Sequence, residues 1–204
     1  LSGCTKAILS EPPVASFDTA DPIEKIAHIY PVVDPVTLAI SASEDSVTAL
    51  KQRAQAGDAE AQLNYAISLI DPKLTHRDYV GAKPWLEKAS AQGVVLADAI
   101  LGSFYESGLG VQPDLVMAFH YYQIAANENL TTAKKQLAFM LKDGRGTPRN
   151  FQEAAYWFES AAQDGDADAQ KQIAYLYRHG LGVEKNDEKA AFWFLKAAES
   201  NDPN

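Results

Sequence analysis

An internal repeat of 36 residues constrains the fold of this chain more than any other feature of its sequence. Glycine or asparagine recurs at this spacing from Gly57 to Asn201, and alanine recurs at it from Ala61 to Ala169. The spacing continues without an insertion through alanines at 82, 118, 154 and 190 and through aromatic residues at 85, 121, 157 and 193. Such a register predicts consecutive copies of one supersecondary unit.

Each unit is predicted to consist of two helices joined by a turn. Residues at 61, 65, 66 and 69 follow the spacing of one helical face, and those at 82, 85, 86 and 89 define a second helix. Between the two helices lies Gly108-Leu109-Gly110, with counterparts in the next two units, and we interpret these glycines as helix terminators. Asp or Asn at 78, 114, 150 and 186 is then a good N-cap for the second helix.

Such hairpins cannot bury their apolar faces alone, so the sequence predicts an all-α fold, a right-handed α-solenoid. The solenoid spans residues 43–204, with units at 57–92, 93–128, 129–164 and 165–200 and a capping helix from Ser43 to Ala56. Residues 1–42 are predicted to form an extended tether with one short helix from Asp21 to Tyr30, because residues 5–42 contain five prolines and little helical periodicity.

Unit one departs from the pattern in two places. Its turn reads Asp71-Pro72-Lys73-Leu74, without either glycine, and Pro84 lies inside its second helix. Because proline removes a backbone hydrogen bond, this helix is predicted to begin late or to bend.

The unit resembles the Sel1-like repeat, a relative of the tetratricopeptide repeat. In unit four the resemblance rests on residues 169–177, on Gly180-Leu181-Gly182-Val183, and on the run from Lys189 to Ala198, and along the chain it covers residues 57–200. Family members act as adaptors in signalling, secretion and exopolysaccharide export, so the resemblance implies a non-enzymatic scaffold with a protein partner. Other relatives are linked to cell-wall chemistry, which leaves a protein that binds or processes peptidoglycan or an anionic polysaccharide as the alternative.

Composition and residue spacing give no indication of catalysis or of a cofactor. The chain has 27 acidic against 18 basic residues and a net charge of −9, which argues against a protein that coats nucleic acid. Its single cysteine excludes a cysteine-based metal cluster, and the four histidines are too far apart to form a helical metal pair. We therefore expect no catalytic residue, no metal site and no cofactor.

The chain begins Leu1-Ser2-Gly3-Cys4, which matches a bacterial lipobox. In this interpretation Cys4 is acylated, and the residues before it are the end of a signal peptide. The acyl chains would hold the protein on a membrane surface without spanning the membrane. Thr5, rather than Asp, follows the cysteine, which favours the periplasmic face of the outer membrane.

A partner-binding groove is predicted along the first helices, because tetratricopeptide-like solenoids bind partners mainly on that concave face. The positions expected to line it change along the chain from apolar to basic and aromatic, which suits an acidic, partly apolar segment. They are Leu63, Ile67, Ile70, Lys135, Phe139, Lys142, Lys171, Tyr175 and Arg178.

The last predicted helix is more apolar than its counterparts in the other units. Phe192 replaces a proline, a histidine and a tyrosine, and Leu195 replaces two glutamates and a glutamine. Both residues are predicted to belong to an exposed end patch that a second copy, as in a homodimer, or another partner would cover. Alternatively, Leu195 folds against residues 200–204.

Overall fold

The structure, a computed structural model, describes residues 44–71 and 74–200. This part of the chain contains nine α-helices and no strand, so the predicted all-α helical repeat fold is confirmed. Each helix packs mainly against the helices that precede and follow it in sequence. The helices are α1 (Glu44–Gln55), α2 (Ala59–Leu69), α3 (Tyr79–Ser90), α4 (Val95–Ser107), α5 (Leu115–Asn127), α6 (Thr131–Asp143), α7 (Phe151–Gln163), α8 (Ala167–His179) and α9 (Asp187–Ser200).

The first helices of the four units are α2, α4, α6 and α8, and the second helices are α3, α5, α7 and α9. The second helices begin at the predicted caps. Asp78, Asp114, Asn150 and Asn186 each accept a hydrogen bond from a backbone N–H of the first turn. Asn150 also donates to Glu153 at 3.1 Å, which completes a reciprocal pair at the start of α7.

The two glycines of each Gly-x-Gly turn have different tasks. Gly144 ends α6 in the left-handed conformation, with φ of 73°, as predicted for a helix terminator. Gly146 is also left-handed, but a Cβ on it would collide with the backbone carbonyl of Leu115 at the start of α5. The second glycine is therefore a contact between units, a role that helix termination alone does not indicate.

Small residues let the two helices of a hairpin approach closely. Ala66, Ala138 and Ala174 are fully buried, and a Cβ on Gly102 would lie only 2.8 Å from the ring of Tyr122. Trp157 and Trp193 are half-buried and pack against the core that units two to four share, while Trp85 packs against the core of units one and two.

The second helix of unit one does not begin late, so that alternative of the prediction was wrong. Helix α3 runs from Tyr79, directly after its cap Asp78, and Pro84 lies within it on the exposed side. The proline ring therefore meets solvent rather than the core. The predicted tether of residues 1–42, with its short helix at residues 21–30, lies outside the described residues.

Candidate partner-binding surfaces

The apolar part of the predicted groove is not available to a partner. Leu63, Ile67 and Ile70 on α2 are buried, and they belong to the same core cluster as Ile100 and Phe104 of α4. The groove prediction is therefore wrong for these three residues, because the next unit packs against the side of α2 that was expected to face a ligand.

The basic residues of unit three are also used between units. The ammonium group of Lys135 lies 2.7 Å from the carboxylate of Asp166 and 3.5 Å from that of Asp168, both at the start of unit four. Lys142 donates a hydrogen bond to Gln172 on α8 at 3.1 Å. Since both lysines bind the following unit, they do not line a free groove, and the prediction is corrected here too.

Phe139 packs within its own unit, between α6 and α7. Its ring packs edge-on against Phe158, with 5.0 Å between the ring centroids, and the ammonium group of Lys142 stands 4.8 Å from its face. This half-buried ring is therefore a packing residue of unit three, contrary to the groove prediction.

The matching residues of unit four are at the surface. Lys171, Tyr175 and Arg178 on α8 are exposed, because no later helix among the described residues contacts them as α8 contacts Lys135 and Lys142 of α6. Among the described residues, Lys171 forms one loose ion pair, with Asp168 at 3.6 Å. The basic and aromatic character predicted for the groove therefore survives only on the last hairpin.

The exposed apolar residues of α9 include both members of the predicted end patch. Leu195 is 60% exposed and Phe194 is 39% exposed, whereas Phe158, the counterpart of Phe194 in unit three, is fully buried. Phe192 is 51% exposed and packs edge-on against Trp193. Leu195 and Phe192 thus both lie at the surface, and their spacing of three residues makes them neighbours on α9.

We call the uncovered side of unit four the end face. It contains the four α8 residues that would meet a following unit and the four α9 residues on the same side. These are Asp168, Lys171, Tyr175, Arg178, Ala191, Phe194, Leu195 and Ala198, all exposed.

A second exposed surface, which the sequence analysis missed, runs across the second helices. Pro84, His120, Tyr156 and Phe192 occupy the same position of successive units and are all exposed. Val80 and Val116, one turn earlier, are exposed by 69% and 64%. We call these six residues the second-helix row. Their 36-residue spacing was visible in the sequence, but exposure at this position could not be read from spacing alone.

Buried polar groups in the described residues serve packing between helices. The hydroxyl of Tyr122 donates to Glu106 at 2.8 Å, and the guanidinium of Arg145 reaches the same carboxylate at 2.8 Å. Burial raises the pKa of Tyr122 well above its ordinary value, with Glu106 adding to the shift. Within residues 44–71 and 74–200 there is no group of three side chains able to hold a metal ion.

Nothing in the described part of the chain bears on the predicted anchor. Cys4 lies outside the described residues. The described helices are 11 to 14 residues long, and none of them has the length and hydropathy that a bilayer span requires.

The sequence profile of the Sel1 repeat matches residues 59–94, 95–130, 132–166 and 167–202. Among curated proteins, a Sel1-like repeat-containing protein of Acanthamoeba polyphaga mimivirus is 32% identical over 91 residues, which cover 45% of this chain and 17% of that protein. The chain therefore corresponds to about a sixth of the length of this relative.

Two solved structures have the same architecture. A protective antigen present in uropathogenic Escherichia coli strains, which displays an SLR fold, is 33% identical with a TM-score of 0.73, over 76% of this chain and 33% of the antigen. A Sel1 repeat protein from Oxalobacter formigenes is 26% identical with a TM-score of 0.75, over 89% of this chain and 71% of that protein.

Proposed function

The chain belongs to the Sel1 repeat family, and from this premise we propose that it is a non-enzymatic scaffold that binds a protein partner through its second-helix row. Sel1 repeat proteins generally act as protein-interaction scaffolds, and the family is typically non-enzymatic. The single observation that carries the proposal is the row of exposed apolar and ring side chains, which continues across all four units.

Helix α5 is the centre of this surface. It contains no Asp, Glu, Lys or Arg, although Val116 and His120 face solvent. An exposed helix normally presents charged residues on its outer side, so an uncharged outer side favours contact with another protein. Tyr156 on α7 extends the same surface and is 63% exposed.

The chemistry of the row suits a partner segment with aliphatic or aromatic side chains. In units one to three, charged groups flank the row: Lys83 and Glu87 on α3 pair with each other at 2.5 Å, and Glu153 lies at the start of α7. In unit four, Glu188 occupies the position of Val80 and Val116 and ends the uncharged strip on that side. A strip without charges and with charged edges resembles the core and rim of a protein interface. The partner is therefore expected to bury apolar residues against Val116 and Tyr156.

The test pairs two substitutions at the same position of adjacent units. Val116→Glu introduces a charge in the middle of the row, and Gln152→Glu introduces the same charge where unit three already has a polar residue. A photoreactive amino acid at position 120 in the cell should crosslink a partner, and Val116→Glu should abolish the crosslink while Gln152→Glu retains it. Equal crosslinking by both variants would contradict the proposal.

We also propose that Cys4 is acylated and holds the protein on the periplasmic face of a bacterial membrane, the outer membrane being favoured. The support is the sequence Leu1-Ser2-Gly3-Cys4, followed by a threonine. Expressed with its full signal sequence, the protein should incorporate labelled palmitate and sediment with membranes, and Cys4→Ser should lose both. Equal membrane fractions for the two forms would refute the anchor.

A glycan ligand remains the second candidate because Tyr156 and Phe192 are exposed rings in the same row. Aromatic rings can stack on sugars, but Trp85, Trp157 and Trp193 pack against the core and do not strengthen this surface. Sedimentation with purified peptidoglycan that Tyr156→Ala abolishes would favour this candidate over a protein partner.

A further inference from the structure

The end face of unit four has the composition of a contact between units. Position 194 corresponds to 86, 122 and 158, where Leu86, Tyr122 and Phe158 are at most 1% exposed. Each of those residues belongs to a core cluster that includes the first helix of the following unit. Phe194 has the same kind of side chain but is uncovered among the described residues. The end face therefore continues an interface that the molecule already uses three times.

The α9 part of the end face is symmetric in side-chain size. Ala191, Phe194, Leu195 and Ala198 follow the i, i+3, i+4, i+7 spacing of one helical face. Reading the helix backwards gives the same order of small, large, large, small. A second copy of α9 lying antiparallel would thus place Ala191 opposite Ala198 and Phe194 opposite Leu195, with a two-fold axis between residues 194 and 195.

The α8 part of the end face is symmetric in charge. Asp168, Lys171, Tyr175 and Arg178 are centred on position 173. In an antiparallel arrangement about that centre, Asp168 of one copy faces Arg178 of the other, which pairs opposite charges. Lys171 likewise faces Tyr175, which places an ammonium group near an aromatic ring.

The two centres lie at the same level of the hairpin. In unit two, a Cβ on Gly102 would touch Tyr122, and in unit three Phe139 packs against Phe158. By the same register, residues 174 and 175 of unit four lie beside residue 194. A single two-fold axis that lies in the interface, perpendicular to both helices, can therefore pass through both centres.

We propose that a second copy of this chain covers the end face, forming a two-fold symmetric dimer in which α9 packs against α9 and α8 against α8. Isologous contacts of this kind are the commonest in homo-oligomers. A head-to-tail chain is disfavoured, because the first of the described helices is α1, whose exposed residues include Lys51, Gln52 and Arg53. The end face contains no residue of the second-helix row, so the dimer goes beyond the proposed scaffold function.

The first test uses two charge insertions at exposed apolar residues of second helices. In sedimentation velocity of the full chain with Cys4→Ser, we expect a dimer that Leu195→Glu weakens at least tenfold. The matched control, Val80→Glu, lies in the second-helix row and should leave the dimer intact while it impairs partner capture. A chain that is monomeric at high concentration, or a dimer that Leu195→Glu does not weaken, overturns the proposal.

The second test fixes the orientation of the two helices by disulfide crosslinking, again without Cys4. The double variant with Ala191→Cys and Ala198→Cys should form a crosslinked dimer on oxidation, because position 191 of one copy lies opposite position 198 of the other. Each single variant should stay uncrosslinked, since the cysteines of the two copies lie about 10 Å apart along the helix axis. A disulfide needs Cα atoms within about 7 Å. Crosslinking by a single variant overturns the antiparallel arrangement.

Discussion

Units three and four place the same residue types in the same positions with opposite results. Lys135 binds two aspartates of the next unit, whereas Lys171 extends into solvent with one loose contact. Phe158 is fully buried, whereas Phe194 is 39% exposed. Register within a unit thus determines where a side chain points, and the neighbouring unit determines whether that direction is core or surface.

The largest difference expected between the two units is in the stability lost when Phe158 or Phe194 is removed. Phe158→Ala removes a fully buried ring and should lower the free energy of unfolding by roughly 3–5 kcal/mol. Phe194→Ala, measured at concentrations where the chain is monomeric, should cost about 1 kcal/mol or less because the ring is partly in solvent already. Urea denaturation of the two variants measures this difference, and equal losses would contradict the comparison.

The turn of unit four shows that this unit is covered on one side. Gly180 and Gly182 are both left-handed, so alanine at either costs about 1–2 kcal/mol. Gly182→Ala should cost about 1–3 kcal/mol more, because its Cβ would collide with the backbone of Phe151 in unit three. Thermal unfolding that ranks Gly180→Ala as the more harmful substitution would refute the role of the second glycine as a contact between units.

The lysine pair should give a smaller difference. Lys135→Met leaves two carboxylates of unit four without their common cation, and we expect a loss of about 1 kcal/mol that shrinks in high salt. Lys171→Met should change stability by less than about 0.5 kcal/mol. Denaturation at low and high ionic strength checks both values, and a salt-independent loss at position 135 would mean that packing rather than charge is responsible.

One buried position differs in charge among the four units. Gln62, Asp98, Lys134 and Gln170 occupy it, and each is nearly inaccessible to solvent. Only unit two has an acid there. Burial raises the pKa of the Asp98 carboxyl above its ordinary value of 3.8, and Glu128 adds to the shift, while the hydroxyl of Ser90 and His120 oppose it.

The stability of unit two should therefore depend on pH in a defined direction. Because the pKa of Asp98 is higher in the folded chain than in the unfolded chain, its charged form destabilises the fold at neutral pH, and protonation relieves this as pH falls towards 3.8. Asp98→Asn retains an oxygen for the hydroxyl of Ser90, 2.6 Å away, and should raise the melting temperature at pH 7. The gain should decrease on acidification, and a constant gain would contradict this explanation.

The helices could be predicted from sequence because their signals are local. Periodic alanines, the caps at 78, 114 and 150, and the first glycine of each turn all act within one hairpin. The groove was mispredicted because exposure depends on the adjacent unit. Leu63 is apolar and Lys135 is basic, as expected of residues that bind an acidic, partly apolar ligand. Leu63 packs against the following unit instead, and Lys135 pairs with an aspartate of the following unit.

The second-helix row could not be recognised from sequence, although Pro84, His120, Tyr156 and Phe192 share one register and are unlike one another in size and polarity. The register of Gln62, Asp98, Lys134 and Gln170 varies just as widely and is buried. Variation at a fixed register therefore does not separate exposed from buried positions in this repeat.

Contacts limited to neighbouring units also determine how the described helices would respond to mechanical tension. A force applied between α1 and α9 meets no contact that ties distant parts of the solenoid together, so the load passes through each hairpin in turn. The weakest hairpin then yields first, and the others keep their structure because each depends only on its neighbours. Such a chain lengthens in steps of one hairpin and can refold one hairpin at a time when the tension is released.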